Sequence, residues 1–352
     1  LLENGAAAFY RCGMKLVGIA AVALLAVLPG CPNEARNESI TAANDGAKAY
    51  GQKQYETAIA AYRRATEKWD GNDKAWYGLG GAYASKQDWT KAADAMQHAV
   101  QLLPDQPLYQ LYYGRFLYEK AVQGAREEQA RRDNKKPDEV TPDLTAVNFE
   151  AARQHLQEAI KLNPDLWGAH YFVGRIYRDT GKNKEAAEEL TKALQAGAID
   201  PEPWVALAEL YRRWDYTDQA IQVAEAGTAV VPGSHEKSQI WFEVGMGYDD
   251  KRLNDKAIDA FTKALEAKRD FHVARFQRGQ AYYRKADYNN AKRDLEEFSK
   301  AGGTSVQFEK QQASKMLVDI AAKSVVPGST PVEQPSPEDV VKKGKAGKGK
   351  RR

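Results

Sequence analysis

The sequence predicts an all-α solenoid of about seven repeats closed by a C-terminal capping helix, and three observations predict it. A 34-residue frame recurs: DKAWYGLGGAYASKQDWTKAADAMQHAVQLLPD from Asp73 and PEPWVALAELYRRWDYTDQAIQVAEAGTAVVPG from Pro201 place Trp, Leu, Gly or Ala, Tyr, Ala and Pro at the same offsets. A fixed period of this size marks a repeat architecture. Hydrophobic residues make up 43% and charged residues 28%, the range of a folded chain. Two cysteines are too few for a disulfide framework, so the core must come from packing.

The frame fits seven times. The first unit is the weakest: Gly46, Tyr55, Ala58, Tyr62 and Ala65 fit, with Asp70 in place of the closing proline. The second is the clearest, with Trp76, Leu79, Gly80, Tyr83, Trp89, Ala92, Met96, Ala99 and Pro104. The third opens at Pro107 with Gly114 and closes with Phe149, Ala152, Leu156, Ala159 and Pro164, its halves split by about 26 extra residues. The fourth holds Val173, Gly174, Tyr177, Ala186, Leu190 and Ala193, and the fifth Trp204, Leu207, Ala208, Tyr211, Ala220 and Pro232. The sixth holds Trp241, Val244, Gly245, Tyr248, Ala257, Phe261 and Ala264, and the seventh Gly279, Tyr282, Tyr288, Ala291 and Leu295.

These residues at these offsets resemble the tetratricopeptide repeat (TPR). The resemblance implies two antiparallel helices per unit and a superhelical solenoid over residues 39–303. Gly or Ala midway along the first helix lets the second approach, and the later alanines do the same for the next unit. Proline closes the turn before the next helix. One helix pair cannot bury its apolar face alone, so stacked units share a continuous core. The Tyr and Trp stripes are therefore packing residues, and no cofactor is expected.

Other segments leave the frame. Residues 120–148, containing AREEQARRDNKKPDEVTPD, are expected to extend the third unit's first helix and then loop at Lys136-Pro137 and Thr141-Pro142. In 304–323, Phe308, Met316, Leu317 and Ile320 fall at helical spacing and predict the capping helix. Residues 324–352 lack periodicity and are rich in Pro, Ser, Gly and Lys, the composition of a disordered tail.

The N-terminus carries a different signal. Lys15 precedes LVGIAAVALLAVL, Leu16 to Leu28, which is shorter than the roughly 20 apolar residues of a membrane-spanning helix. A basic start, a short apolar run and small residues at its end describe a secretory signal peptide. Residues 1–30 are thus read as an upstream extension, with Met14 as the expected start, and a signal peptide. Leu28-Pro29-Gly30-Cys31 resembles the lipobox of bacterial lipoproteins, with Pro29 departing from the usual small residue. That resemblance implies cleavage before Cys31, acylation of its sulfur and amine, and a membrane anchor with a tether over 31–38. Pro32 after the cysteine, rather than Asp, implies an outer-membrane destination facing the periplasm.

Charge and chemistry bound the function. Net charge is +3, yet residues 1–30 carry +1 and Lys342 to Arg352 carry +7, leaving the body near −5. That argues against a nucleic-acid binder. The tail is read in two ways, as a mobile contact with peptidoglycan or another polyanion, which would make the alternative function a cell-wall binder, or as a solubilising segment without a partner. His98, His155, His170, His235 and His272 lack metal-ligand spacing, and no nucleophile elbow or phosphate loop is present, so neither a metal site nor an enzyme is expected.

In the TPR family the first helices line a concave groove that takes a peptide or helix of a partner. Carried onto this chain, the groove places give Tyr77 in the second unit and Leu111, Arg115 and Tyr118 in the third. They continue with Tyr171, Arg175 and Arg178, then Arg212, then Phe242 and Met246, and last Phe276 and Tyr283. Aromatic and Arg side chains of this kind are enriched at binding hot spots. The expected contact runs from the third to the seventh repeat, with all these side chains at the surface and Asp249 and Asp250 receiving a basic residue. The whole resembles envelope TPR lipoproteins, either the pilotins of type IV pilus systems or the adaptors of peptidoglycan hydrolases.

Overall fold

The computed structural model describes residues 32–300 and 306–324. Among them there are fifteen α-helices and no strand. Fourteen helices form seven pairs: α1 (Pro32–Gly51) with α2 (Tyr55–Lys68), α3 (Asp73–Ser85) with α4 (Trp89–Leu102), and α5 (Pro107–Asp133) with α6 (Glu150–Leu162). Then come α7 (Trp167–Asp179) with α8 (Asn183–Gln195), α9 (Pro201–Arg213) with α10 (Thr217–Val230), α11 (Ser238–Asp250) with α12 (Asn254–Ala267), and α13 (His272–Arg284) with α14 (Tyr288–Ser299). Each second helix packs on the next first helix, and α15 (Gln307–Ser324) closes the stack on α13 and α14. The result is a superhelical TPR solenoid.

Small residues set the spacing inside each pair. A Cβ on Gly80 would lie 2.9 Å from the Met96 side chain, one on Gly114 2.7 Å from Leu156, and one on Gly245 2.5 Å from the Phe261 ring. The helices can approach this closely only because no side chain intervenes. On the second helices, Ala58, Ala92, Ala99, Ala159, Ala186, Ala193, Ala257 and Ala264 are fully buried.

Two backbone devices recur that the packing frame did not foretell. The turn inside six of the seven pairs has one left-handed residue: Lys53, Gln87, Gly181, Asp215, Arg252 or Ala286. The next residue's N–H then reaches back five positions to a carbonyl, as from Asp88 to Tyr83 (3.1 Å) and Leu253 to Tyr248 (3.0 Å). This is a Schellman closure of the first helix. At five of the six junctions between pairs, the fourth residue of the first helix donates a side-chain hydrogen bond to the carbonyl six positions upstream. Trp76 does so to Asp70 (2.8 Å), Gln110 to Pro104 (2.7 Å), His170 to Pro164 (3.0 Å), Trp204 to Ala198 (2.9 Å) and Arg275 to Arg269 (2.8 Å). A carbonyl otherwise left open in the turn is thereby satisfied, which pins the pitch from one repeat to the next.

The boundaries differ from expectation at the start. Residues 32–38, expected as a tether, are the first turns of α1. Ser39 explains why: its hydroxyl is fully buried, donates to the Ala65 carbonyl (2.7 Å) and accepts from Asn72 (2.9 Å), so this part of α1 is docked on the stack. The insertion lengthens α5 to 27 residues, ends it at a left-handed Asn134 and returns through one 3-10 turn at Pro137–Glu139. Cys31, the signal-peptide segment and the basic tail lie outside the described residues, and among the described residues no helix is long and apolar enough to cross a membrane.

Candidate protein-binding cleft

The expected groove places separate into three environments. Tyr77 and Arg115 line an open cleft of about 1020 Å³ formed by α1, α3 and α5. Leu111, Tyr118 and Phe276 are buried, at 7%, 1% and 2% exposure, so they are core rather than groove. The remaining places, in the fourth to seventh repeats, are partly exposed and mostly engaged by the protein itself.

The burials have local causes. A Cβ on Gly168 would lie 3.2 Å from the Leu111 side chain, so α7 rests directly on Leu111. Tyr118 is covered by the segment returning from the insertion: Phe149 packs 5.2 Å from its ring, with Leu144 and Val147 beside them. Phe276 lies 4.9 Å from Phe298 in a cluster that α15 completes with Ala313 and Ile320. The extra segment and the cap each cover a position that an uninterrupted repeat would leave open.

The arginines are struts. Arg175 on α7 donates to Glu119 on α5 (3.0 Å), with its guanidinium 4.6 Å from the Tyr118 ring and 5.8 Å from that of Tyr171. Tyr118 donates to Asp179 (2.5 Å), which also pairs with Arg178 (2.9 Å). Arg212 on α9 bridges to Glu243 (3.0 Å) and Asp250 (2.7 Å) on α11. Asp249, expected to wait for a basic partner residue, pairs with Arg284 of α13. Tyr283 donates to Asp319 of α15 (2.5 Å). Phe242 sits among Phe261 and Phe271 at the edge of a polar cleft with Glu209, Arg212 and Asp250, and Met246 is partly exposed on the same helix. The carboxylates of Glu119, Glu243, Asp250 and Asp249 each hold an arginine of a neighbouring first helix, so these later first helices offer few free groups.

The cleft at α1, α3 and α5 is the opposite. Tyr77 stacks on Tyr109 (5.2 Å) and meets Tyr112 edge-on (5.6 Å), and Tyr112 leans on Phe116 (6.0 Å). Burial, with Tyr112 close by, pushes the Tyr77 hydroxyl well above the usual tyrosine range, so it stays a neutral donor. Ile40, Tyr50 and Leu108 line the same cleft yet are 43%, 39% and 43% exposed. The floor includes Gly78 and Gly81. A Cβ on Gly78 would strike the Tyr62 ring at 2.4 Å, whereas one on Gly81 would meet only the Tyr50 hydroxyl, at 4.0 Å. Gly81 therefore leaves space that no part of the described protein fills.

Tyr50, Tyr109 and Tyr112 were missed because the groove places follow an average repeat. The signal was present in Tyr112-Tyr113-Gly114, a pair of aromatics where one packing residue would suffice. Among the described residues no cluster of His, Cys, Asp or Glu could hold a metal ion.

Comparison with known proteins agrees with the repeat. Family models described as tetratricopeptide repeat match residues 48–107, 144–201 and 238–271. No curated protein matches the sequence. Among solved structures, the APC/C hetero-tetramer Cut9-Hcn1 is similar at 14% identity and a TM-score of 0.53, over 82% of this chain and 54% of that one. This chain thus spans about half the length of that relative. A TPR protein from Parabacteroides merdae is similar at 12% identity and a TM-score of 0.51, over 81% and 99%. Pseudomonas aeruginosa pilF is similar at 17% identity and a TM-score of 0.50, over 72% and 99%. With the matched repeats and the seven stacked pairs together, the chain is a superhelical tetratricopeptide-repeat solenoid, a fold that serves as a protein-interaction scaffold.

Proposed function

We propose that this protein is a lipid-anchored scaffold of the bacterial cell envelope that holds partner proteins in its concave face, as a pilotin-like assembly factor does. The observation that carries the reading is the open aromatic cleft of α1, α3 and α5, an exposed apolar surface with no occupant within the described chain. Contiguous apolar surface of this kind marks a contact site. The anchor is supported by the apolar run that ends at Cys31. Because α1 starts at Pro32, the residue after the cysteine in sequence, the first cleft residue, Arg36, lies four positions, about 6 Å, from the start of that helix. A lipid on Cys31 would hold the cleft against the membrane surface, where envelope assemblies are built.

The test compares wild type, Cys31→Ser and Gly81→Leu by affinity purification from crosslinked envelopes of the producing cell. Wild type should fractionate with membranes and recover envelope proteins. Cys31→Ser should leave the membrane fraction, and Gly81→Leu should stay there but lose its partners. A Cys31→Ser protein that remains membrane-bound would contradict the anchor, and unchanged recovery with Gly81→Leu would contradict the cleft.

A further inference from the structure

We infer that the cleft selects a short peptide segment in which a carboxylate side chain lies beside aromatic or aliphatic residues, and that Arg115 receives that carboxylate. This rests on the proposed scaffold reading and adds the chemistry of the partner.

The first observation is the state of Arg115. Six other partly buried arginines, Arg153, Arg175, Arg178, Arg212, Arg278 and Arg284, each hold a carboxylate, and Arg275 holds a backbone carbonyl. Arg115 forms no hydrogen bond among the described residues, and its Nε is buried without a partner. Its guanidinium lies 5.3 Å from the Phe172 ring. The Nε has lost water without gaining an acceptor, while the two terminal amino groups are not buried in this way and form no hydrogen bond within the described residues, so they are free to meet a carboxylate. Its planar fork suits two-point bonding to such a group.

The second observation is the charge of the lining. Arg36, Lys74 and Arg115 are its cations. Its one carboxylate, Asp73, already accepts from the Tyr109 hydroxyl (2.6 Å). The solenoid body carries a net negative charge, so a cationic cleft on it is a local exception that attracts acidic segments and repels basic ones. The third observation is shape. Three first helices side by side, at about 8–10 Å spacing, give a floor roughly 20 Å long. About six extended residues span that length. Tyr77, Tyr112 and Leu108 would take the apolar side chains on either side of the carboxylate.

The experiment selects displayed random peptides of about 12 residues on the full chain held in detergent, then measures the selected peptides by fluorescence anisotropy. The expected selection contains Asp or Glu within two positions of Phe, Tyr, Trp, Leu or Ile. Changing that acid to its amide should weaken binding about tenfold or more, as should Arg115→Gln. Arg115→Glu should shift selection toward Lys or Arg at the same place. Gly81→Leu, checked for an unchanged melting temperature, should abolish binding. Peptides blocked by Gly81→Leu but indifferent to the acid and to Arg115 would overturn the carboxylate proposal and leave the cleft reading standing. Peptides that bind Gly81→Leu as well as wild type, or a selection that yields none, would overturn both.

Discussion

Arg175→Ala separates a strut from a contact residue. The sequence frame places Arg175 in the groove, free to meet a partner; the structure places it between α5 and α7. Its side chain is 22% exposed and that of Glu119 is 18% exposed, so the pair is largely shielded from water. Removing one member of a buried pair leaves the other charge uncompensated, at about 3–5 kcal/mol when burial is complete. The guanidinium also lies within 6 Å of three aromatic rings, Tyr118, Tyr171 and Phe172. Such contacts contribute about 0.5–2 kcal/mol. Residual exposure reduces the ion-pair figure, so the net loss should be about 2–4 kcal/mol. In a solenoid this loss is local to neighbouring repeats. Hydrogen exchange should therefore show α5, α6 and α7 opening more readily, with α13 and α14 unchanged. The double variant Arg175→Met with Glu119→Gln removes both charges and should recover most of the loss. If Arg175→Ala melts within about 0.5 kcal/mol of wild type while partner recovery collapses, Arg175 is a surface contact and the strut account is wrong.

Three further outcomes follow from packing, backbone and charge. Gly245→Ala places a methyl 2.5 Å from the fully buried Phe261 ring, and should cost about 1–3 kcal/mol in thermal or urea unfolding. Ala286→Gly relieves a left-handed alanine (φ 61°) in the last Schellman turn and should raise stability by about 0.5–1 kcal/mol in the same assay, the relieved strain exceeding the added freedom of the unfolded chain. Glu243 is 4% exposed, and burial pushes its carboxyl up to about 7 against the pull of Arg212. Its folded pKa lies above the unfolded value, so the native state holds the extra proton between about pH 4.5 and 7 and stability falls as pH rises through that window. Compared with Glu243→Gln, wild type should lose about 2–3 kcal/mol from pH 4.5 to 8, read from paired melting curves. A flat difference would show that the carboxyl titrates normally.

The fold was legible because its determinants are local and repeated. Gly80 and Gly174 stand at one common offset before Ala92 and Ala186, Gly114 stands before Ala152 at that offset lengthened by the insertion, and the structure brings each glycine against that alanine's carbonyl. The groove was less legible because each place is open or covered according to what stacks on it. Tyr118 looks like a groove residue until the returning insertion brings Phe149 over it, and Phe276 until α15 docks. Ion pairing is also invisible in one dimension: Arg212 and Glu243 are 31 residues apart in sequence and 3.0 Å apart in space. What the frame did locate is the pair Tyr77 and Arg115, the two groove places that line the open cleft.

The central claim is that partners bind across α1, α3 and α5, and site-specific photocrosslinking in living cells tests it most directly. A photoreactive residue is placed at Leu108, in the cleft, or at Met246, on the half of the face whose arginines are paired. The account predicts discrete partner adducts from position 108 and none from position 246. Adducts from position 246 alone would contradict it and move the contact to the later repeats.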